Sequence, residues 1–203
     1  MKRIVTFMVA LITIVIIAAC SRSPYANINN PKDEYIGYTD VYPVYIDSRF
    51  SDKQKSDIKA GIEAWNYTLN GYRRYEIISD KFDAATDLEV IHSLRNSYMG
   101  LVVLYETADN PEIEDGVLAW VPDFGALDMH VVADRISGRN LIQIVEHELG
   151  HILGSPHVNI ARSSMYPYYP VNNIPCIDYI TASLVANAHK LWDIHHMNYC
   201  MVQ

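Results

Sequence analysis

The sequence predicts a mixed α+β fold built on a single sheet. Three observations carry that reading. An early strand is followed by a capped amphipathic helix, and then by a series of short apolar runs that read as strands. A later helical stretch carries His147, Glu148 and His151, with both imidazoles on one face. No repeat or second domain boundary interrupts this order, which suits one domain around one sheet.

Residues 1–19 stand apart from that fold. Met1-Lys2-Arg3 is a short basic start, and Ile4 to Ile17 is almost continuously apolar, a length that suits a signal peptide better than a spanning helix. The stretch ends in Ile17-Ala18-Ala19-Cys20, which resembles the lipobox of bacterial lipoprotein precursors. That resemblance implies cleavage before Cys20 and a lipid on the new N-terminus. The alternative is an ordinary signal peptide cut after Ala19, with Cys20 left as a free thiol. A lipid there would anchor the protein to a bacterial membrane outside the cytoplasm, without spanning it. In a host with two membranes, Ser21 would resemble the residue of outer-membrane lipoproteins. Residues 20–34 are polar, hold two prolines and lack a period, so they read as a tether to a domain over 35–203.

Val41 to Asp47 is the first expected strand, with Pro43 near its start, where a missing donor does least harm. Ser51 and Gln54 have capping-box spacing, and Ile58, Ile62, Trp65 and Leu69 follow as one apolar stripe down to Gly71. Tyr75 to Ser79, Leu88 to Ser93 and Leu101 to Tyr105 read as short strands. Ala108 to Pro111 is a turn, and Gly116 to Pro122 and Leu127 to Asp134 read as two strands flanking a loop. Residues 137–140 offer caps for a helix whose buried face is Leu141, Ile142, Val145, Leu149, Ile152 and Leu153. Asp178 is a plausible cap for a last helix with Ile180, Leu184, Ala188 and Leu191 as its stripe.

The chemistry lies in His147-Glu148-x-x-His151-x-x-Gly154-x-x-His157. His147 and His151 are close enough to share an ion, and a left-handed Gly154 would end the helix and return His157 as a third nitrogen ligand. Three neutral ligands leave one position of a tetrahedral Zn²⁺ open, which marks a catalytic site. Glu148 stands beside the first ligand as a general base for water. The motif resembles the signature of the metzincin zinc proteases, and Ser164-Met165-Tyr166-Pro167 resembles the Met-turn of the matrixins among them. A glutamate-ligand zinc protease is the other option, and the Gly154-x-x-His157 extension argues against it. Gly116-Val117-Leu118-Ala119 and Asp128-Met129-His130-Val131 resemble the matrixin edge strand and the strand after it.

That resemblance implies a twisted, mostly parallel sheet, an active-site helix and a small C-terminal subdomain after the third histidine. It implies that Met165 supports the metal from below, and that Leu118 and Ala119 pair with an extended peptide substrate. It also implies that Tyr166, Pro167 and Tyr168 wall the pocket for the side chain after the scissile bond, or form a rigid loop under the metal. The sequence departs from animal matrixins in having Trp120 where a second-zinc histidine is expected. The acidic calcium-binding run is reduced to Val131-Val132-Ala133-Asp134. A second zinc and calcium are therefore not expected.

Composition excludes other classes. The formal charge is −8. Removing Lys2 and Arg3 leaves 14 basic against 24 acidic side chains, a net −10 without a basic patch, which argues against a nucleic-acid partner. Fifteen tyrosines fit strand surfaces. Cys176 and Cys200 are left over as a pair, which suits one disulfide in an exported protein, two reduced buried thiols being the alternative. The expectation is a zinc endopeptidase, lipid-anchored outside the cytoplasm and acting on protein or peptide. The alternative is a surface lipoprotein that keeps the fold as a catalytically silent binding module.

Overall fold

Val41–Asp47 forms the first strand, β1, in the computed structural model, which describes residues 41–136, 139–168, 176–190 and 194–201. The expected signal peptide, tether and Cys20 lie outside the described residues, as do Tyr169, Pro170 and Leu191. The pleat of β1 sends Val44 and Ile46 to one face, where both are fully buried, and Tyr45 to the other.

Helix α1 spans Asp52–Leu69 and starts with the capping box of Ser51 and Gln54. Its expected stripe is its buried side: Ile58, Ile62, Trp65 and Leu69 all enter the main core. Asn70 ends the helix in the left-handed region (φ 44°), which asparagine tolerates better than most residues. Strand β2, Arg74–Phe82, then returns parallel to β1. Asn66 on α1 fastens this crossover, accepting from Tyr75 N at 2.7 Å and donating to Tyr75 O at 2.8 Å.

The run 88–93, expected as a strand, is instead the start of helix α2, Leu88–Ser97. The reason is visible in the longer window. Leu88, Ile91 and Leu94 recur every third residue, and a reading that stops at Ser93 cuts off Leu94, the residue that the helix buries. Leu94, with Val90 and Ile91, covers a small second core of Phe82 and Val102 on the far face of the sheet.

Strands β3 (Leu101–Glu106), β4 (Ala119–Trp120) and β5 (Asp128–Val132) complete a sheet of order β2-β1-β3-β5-β4. All neighbours are parallel except β4, which runs antiparallel to β5. The expected strand over 116–122 is thus reduced to two paired residues, extended by one more bond from Val132 N to Leu118 O at 2.9 Å. Gly116 in a left-handed conformation (φ 86°) and Pro122 bracket it, and among the described residues β4 has no strand partner on its outer side.

The main core lies between the sheet and two helices, α1 and α3 (Leu141–Ile152). These helices meet closely at Gly61, where a Cβ would come within 2.9 Å of both Val145 Cβ and the Ile142 carbonyl. The last helix, α4 (Tyr179–Ala188), is capped by Asp178 as expected but buries a different face. Thr181, Ala182, Val185 and Ala186 are buried, whereas Ile180 and Leu184 are half-buried and Ala188 is exposed. Small alanines let this helix approach the core closely, and an apolar stripe counted from the larger side chains misses that. A disulfide joins Cys176 to Cys200. The C-terminal segment returns to α1, with Asn198 N donating to Thr68 O at 3.0 Å.

The architecture is therefore mixed α+β, with a mostly parallel five-stranded sheet. Among the described residues no helix is long and apolar enough to cross a membrane.

Candidate metal centre and cleft

Asn140 caps α3, its side-chain oxygen accepting from Ile142 N at 3.1 Å. Leu141, Val145, Leu149 and Ile152 anchor the helix in the core, and Trp65 Nε1 donates to the Glu146 carbonyl at 2.8 Å. With its back fixed, α3 presents His147 and His151 one turn apart. It ends at Ile152, and Gly154 adopts the left-handed conformation (φ 86°). The N–H groups of Gly154 and Ser155 then donate to the carbonyls of His151 and Gly150, at 2.8 and 2.9 Å. That reversal brings His157 back over the helix.

The three Nε2 atoms converge. They are 3.1 Å apart for His147 and His151, 3.1 Å for His151 and His157, and 3.2 Å for His147 and His157. Two of the rings are oriented from behind. Nδ1–H of His147 donates to Ser164 O at 2.8 Å, and Nδ1–H of His151 donates to Ser155 O at 2.8 Å. A ring that donates from Nδ1 as a neutral imidazole carries its lone pair on Nε2. Burial, with the adjacent His151, pushes the His147 imidazole down to about 4, and burial also lowers His151. Both rings are thus held neutral, the state in which imidazole binds metal. Tetrahedral zinc with its usual bonds to nitrogen needs ligand atoms about 3.3 Å apart. The donor set and its spacing fit zinc.

Met165 is fully buried, and its sulfur packs against Gly150 so closely that a Cβ there would overlap it. Val158 N donates to Met165 O at 2.8 Å, tying the loop after His157 to the turn. Asp178, which the sequence marks only as a helix cap, also holds that turn. One carboxylate oxygen accepts from Ile180 N and Thr181 N, and the other from Ser164 N at 2.7 Å, Ser163 Oγ and Thr181 Oγ1. Ser164 therefore links the buried carboxylate on its N–H side to His147 on its carbonyl side.

A cleft of about 590 Å³ opens beside the histidines. Leu118, Ala119, Tyr166, Pro167 and Tyr168 are among the residues that line it. Glu148 lines it too, only 7 % exposed, and burial pushes its carboxyl up to about 8. Glu146 is a lining residue that the sequence reading passed over. It is 4 % exposed, and burial pushes it up to about 8 as well. Its signal was available, because Ile142, Glu146, Leu149 and Leu153 share one helical stripe, and a glutamate there is out of place.

His130 has a different setting. Its ring stacks on Trp120 at 4.5 Å and an 8° tilt, Nδ1 meets Glu106 Oε1 at 2.8 Å, and Nε2 meets Asp128 Oδ2 at 3.2 Å. Both ring nitrogens are engaged by carboxylates. Trp120, found in place of the second-zinc histidine, is a stacking partner that steadies the cleft-side strand.

Comparison with known proteins agrees with this geometry. The sequence model of the peptidase family described as Matrixin matches residues 45–178, a span that holds the three histidines, Glu148, Met165 and Asp178. A stretch of 33 residues is 52 % identical to karilysin of Tannerella forsythia. That match covers 16 % of this chain and 7 % of karilysin's own length.

Proposed function

The chain belongs to the matrixin family of metallopeptidases, and from that premise we propose that it is a zinc endopeptidase held outside the cytoplasm by a lipid on Cys20. The observation that supports the catalytic reading best is the convergence of three imidazole nitrogens, with a buried Glu148 lining the same open cleft.

His147, His151 and His157 would hold the ion. Zinc bound there supplies Lewis acidity, polarising a peptide carbonyl and making a water easier to deprotonate. Glu148 takes the proton from the attacking water and hands it to the departing amine nitrogen. Its raised proton affinity suits a group that must hold a proton within the turnover, and the charge of a nearby cation lowers that affinity toward neutral pH. The outer edge of β4, unpaired among the described residues, offers main-chain groups to an extended substrate, which fits polypeptide better than small amides. Tyr166, Pro167 and Tyr168 wall the pocket that takes the side chain following the cut bond. Met165 acts as a support and not as a ligand.

The test is purified protein with zinc, an unfolded protein substrate, and the Glu148→Ala variant as control. Cleavage by the wild type alone supports the proposal. Zinc binding without cleavage of any substrate would favour the silent binding module. The anchor is tested separately: Cys20→Ser is expected to move the protein from the membrane fraction to the soluble one, and an unchanged distribution would contradict it.

A further inference from the structure

Glu146 is not explained by metal binding or by water activation. Its carbonyl is used by Trp65, but among the described residues its carboxylate has no hydrogen bond or ion pair, though it is 4 % exposed. A carboxyl removed from water without a partner is costly to keep, so a partner from outside the chain is the physical reason to retain one. Glu146 lines the cleft, as do Ser163, Ser164 and Tyr166. Ser164, another lining residue, contributes a second waiting group, since its Oγ is buried with no hydrogen-bond partner among the described residues. Apart from the three metal-site histidines and the tyrosines, the ionisable lining of the cleft is acidic. The described lining includes Asp115, Glu146 and Glu148, but neither lysine nor arginine.

We propose that Glu146 is a specificity residue that accepts hydrogen bonds from a cationic side chain, arginine or lysine, placed just after the scissile bond. The inference rests on the peptidase reading above and adds a substrate class to it. A long basic side chain brings several N–H donors on an apolar stem, so it fills an aromatic-walled pocket and still reaches a carboxylate at its side. An aliphatic side chain would seal the carboxyl away without a partner, and an acidic one would be repelled.

The experiment uses two peptides that differ in one residue after the cut bond, arginine in one and citrulline in the other. The pair is nearly isosteric, so charge is the main variable. The zinc-loaded wild type should cleave the arginine peptide with a kcat/KM about 10- to 100-fold higher, and in Glu146→Gln the ratio should fall to within about threefold. A ratio is read, so a general loss of activity in the variant cancels. Equal rates with the wild type would overturn the proposal, as would a preference that survives in Glu146→Gln. Kd values for the same peptides, measured on zinc-loaded Glu148→Ala, should show the same preference. If no substrate at all is cleaved, the peptidase reading falls, and the Kd ratio still decides the role of Glu146.

Discussion

Glu148 and His130 show how placement alone sets what a titratable side chain can do. Glu148 has only burial acting on it, so its carboxyl holds a proton up to about 8. Glu148→Ala should lower kcat/KM by roughly 10²- to 10⁴-fold, the range for a general acid–base group, while zinc content stays at the wild-type level. Loss of zinc together with activity would mean that the variant damaged the metal centre instead. His130 is opposite in sign. Burial alone would lower its pKa, but its hydrogen bonds to the Asp128 and Glu106 carboxylates outweigh that and raise it. A raised folded-state pKa stabilises the protein fully below the unfolded value, near 6.5, and that stability is lost as pH rises through the folded value. His130→Gln should therefore cost on the order of 1 kcal/mol at pH 5.5, with solvent screening of the partly exposed Asp128 taken into account, and less at pH 8.5. Thermal melts of both proteins at the two pH values check this, and an equal cost at both would contradict it.

Helix α3 does its work through contacts on three sides. Gly61 lets α1 lie against it, Gly150 lets Met165 fill the space beneath, and Gly154 turns the chain back. Gly150→Ala should displace the Met165 sulfur and destabilise the fold by about 1–3 kcal/mol, the usual cost of overpacking, read as a shift in denaturant midpoint. Asp178→Ala removes the support of Ser164 and the cap of α4 together. It should weaken zinc binding roughly 10- to 100-fold, as removal of partners behind a ligand does, although Asp178 touches no ligand. Unchanged affinity would show that Ser164 orients His147 without help. The elements most legible in the sequence were those whose signals are local. The Ser51 box, the Ile58-to-Leu69 stripe and the Asn140 and Asp178 caps all report on residues within a turn or two. Helix α2 was misread because β-branched Val90 and Ile91 suggest a strand until Leu94 is counted. The paired length of β4 depends on what β5 offers, and the second role of Asp178 depends on a turn fourteen residues away. Neither is written in a local window.

The whole molecule places a spatially simple site on contributions from distant parts of the chain. The sheet edge at 118–120, helix α3 and the 163–168 turn meet at one cleft, and the motif histidines and Glu148 could be named from spacing alone. The carboxyl of Glu146 could not, because its lack of a partner among the described residues is a property of the packed molecule. The Cys176–Cys200 bond closes a loop of about 25 residues that contains α4, worth on the order of 3 kcal/mol by chain entropy. Reduction should lower the midpoint of thermal unfolding, with a larger effect on the C-terminal segment than on the sheet, as hydrogen exchange would show. The central claim is that this cleft is a zinc peptidase site with Glu148 as its base. The most direct measurement is hydrolysis of an unfolded protein by wild type and Glu148→Ala at matched zinc content, before and after chelation. Cleavage by the zinc-loaded wild type, loss on chelation, recovery with zinc, and no more than residual cleavage by the variant are expected. Full activity in zinc-loaded Glu148→Ala, or in the chelated wild type, would contradict the claim.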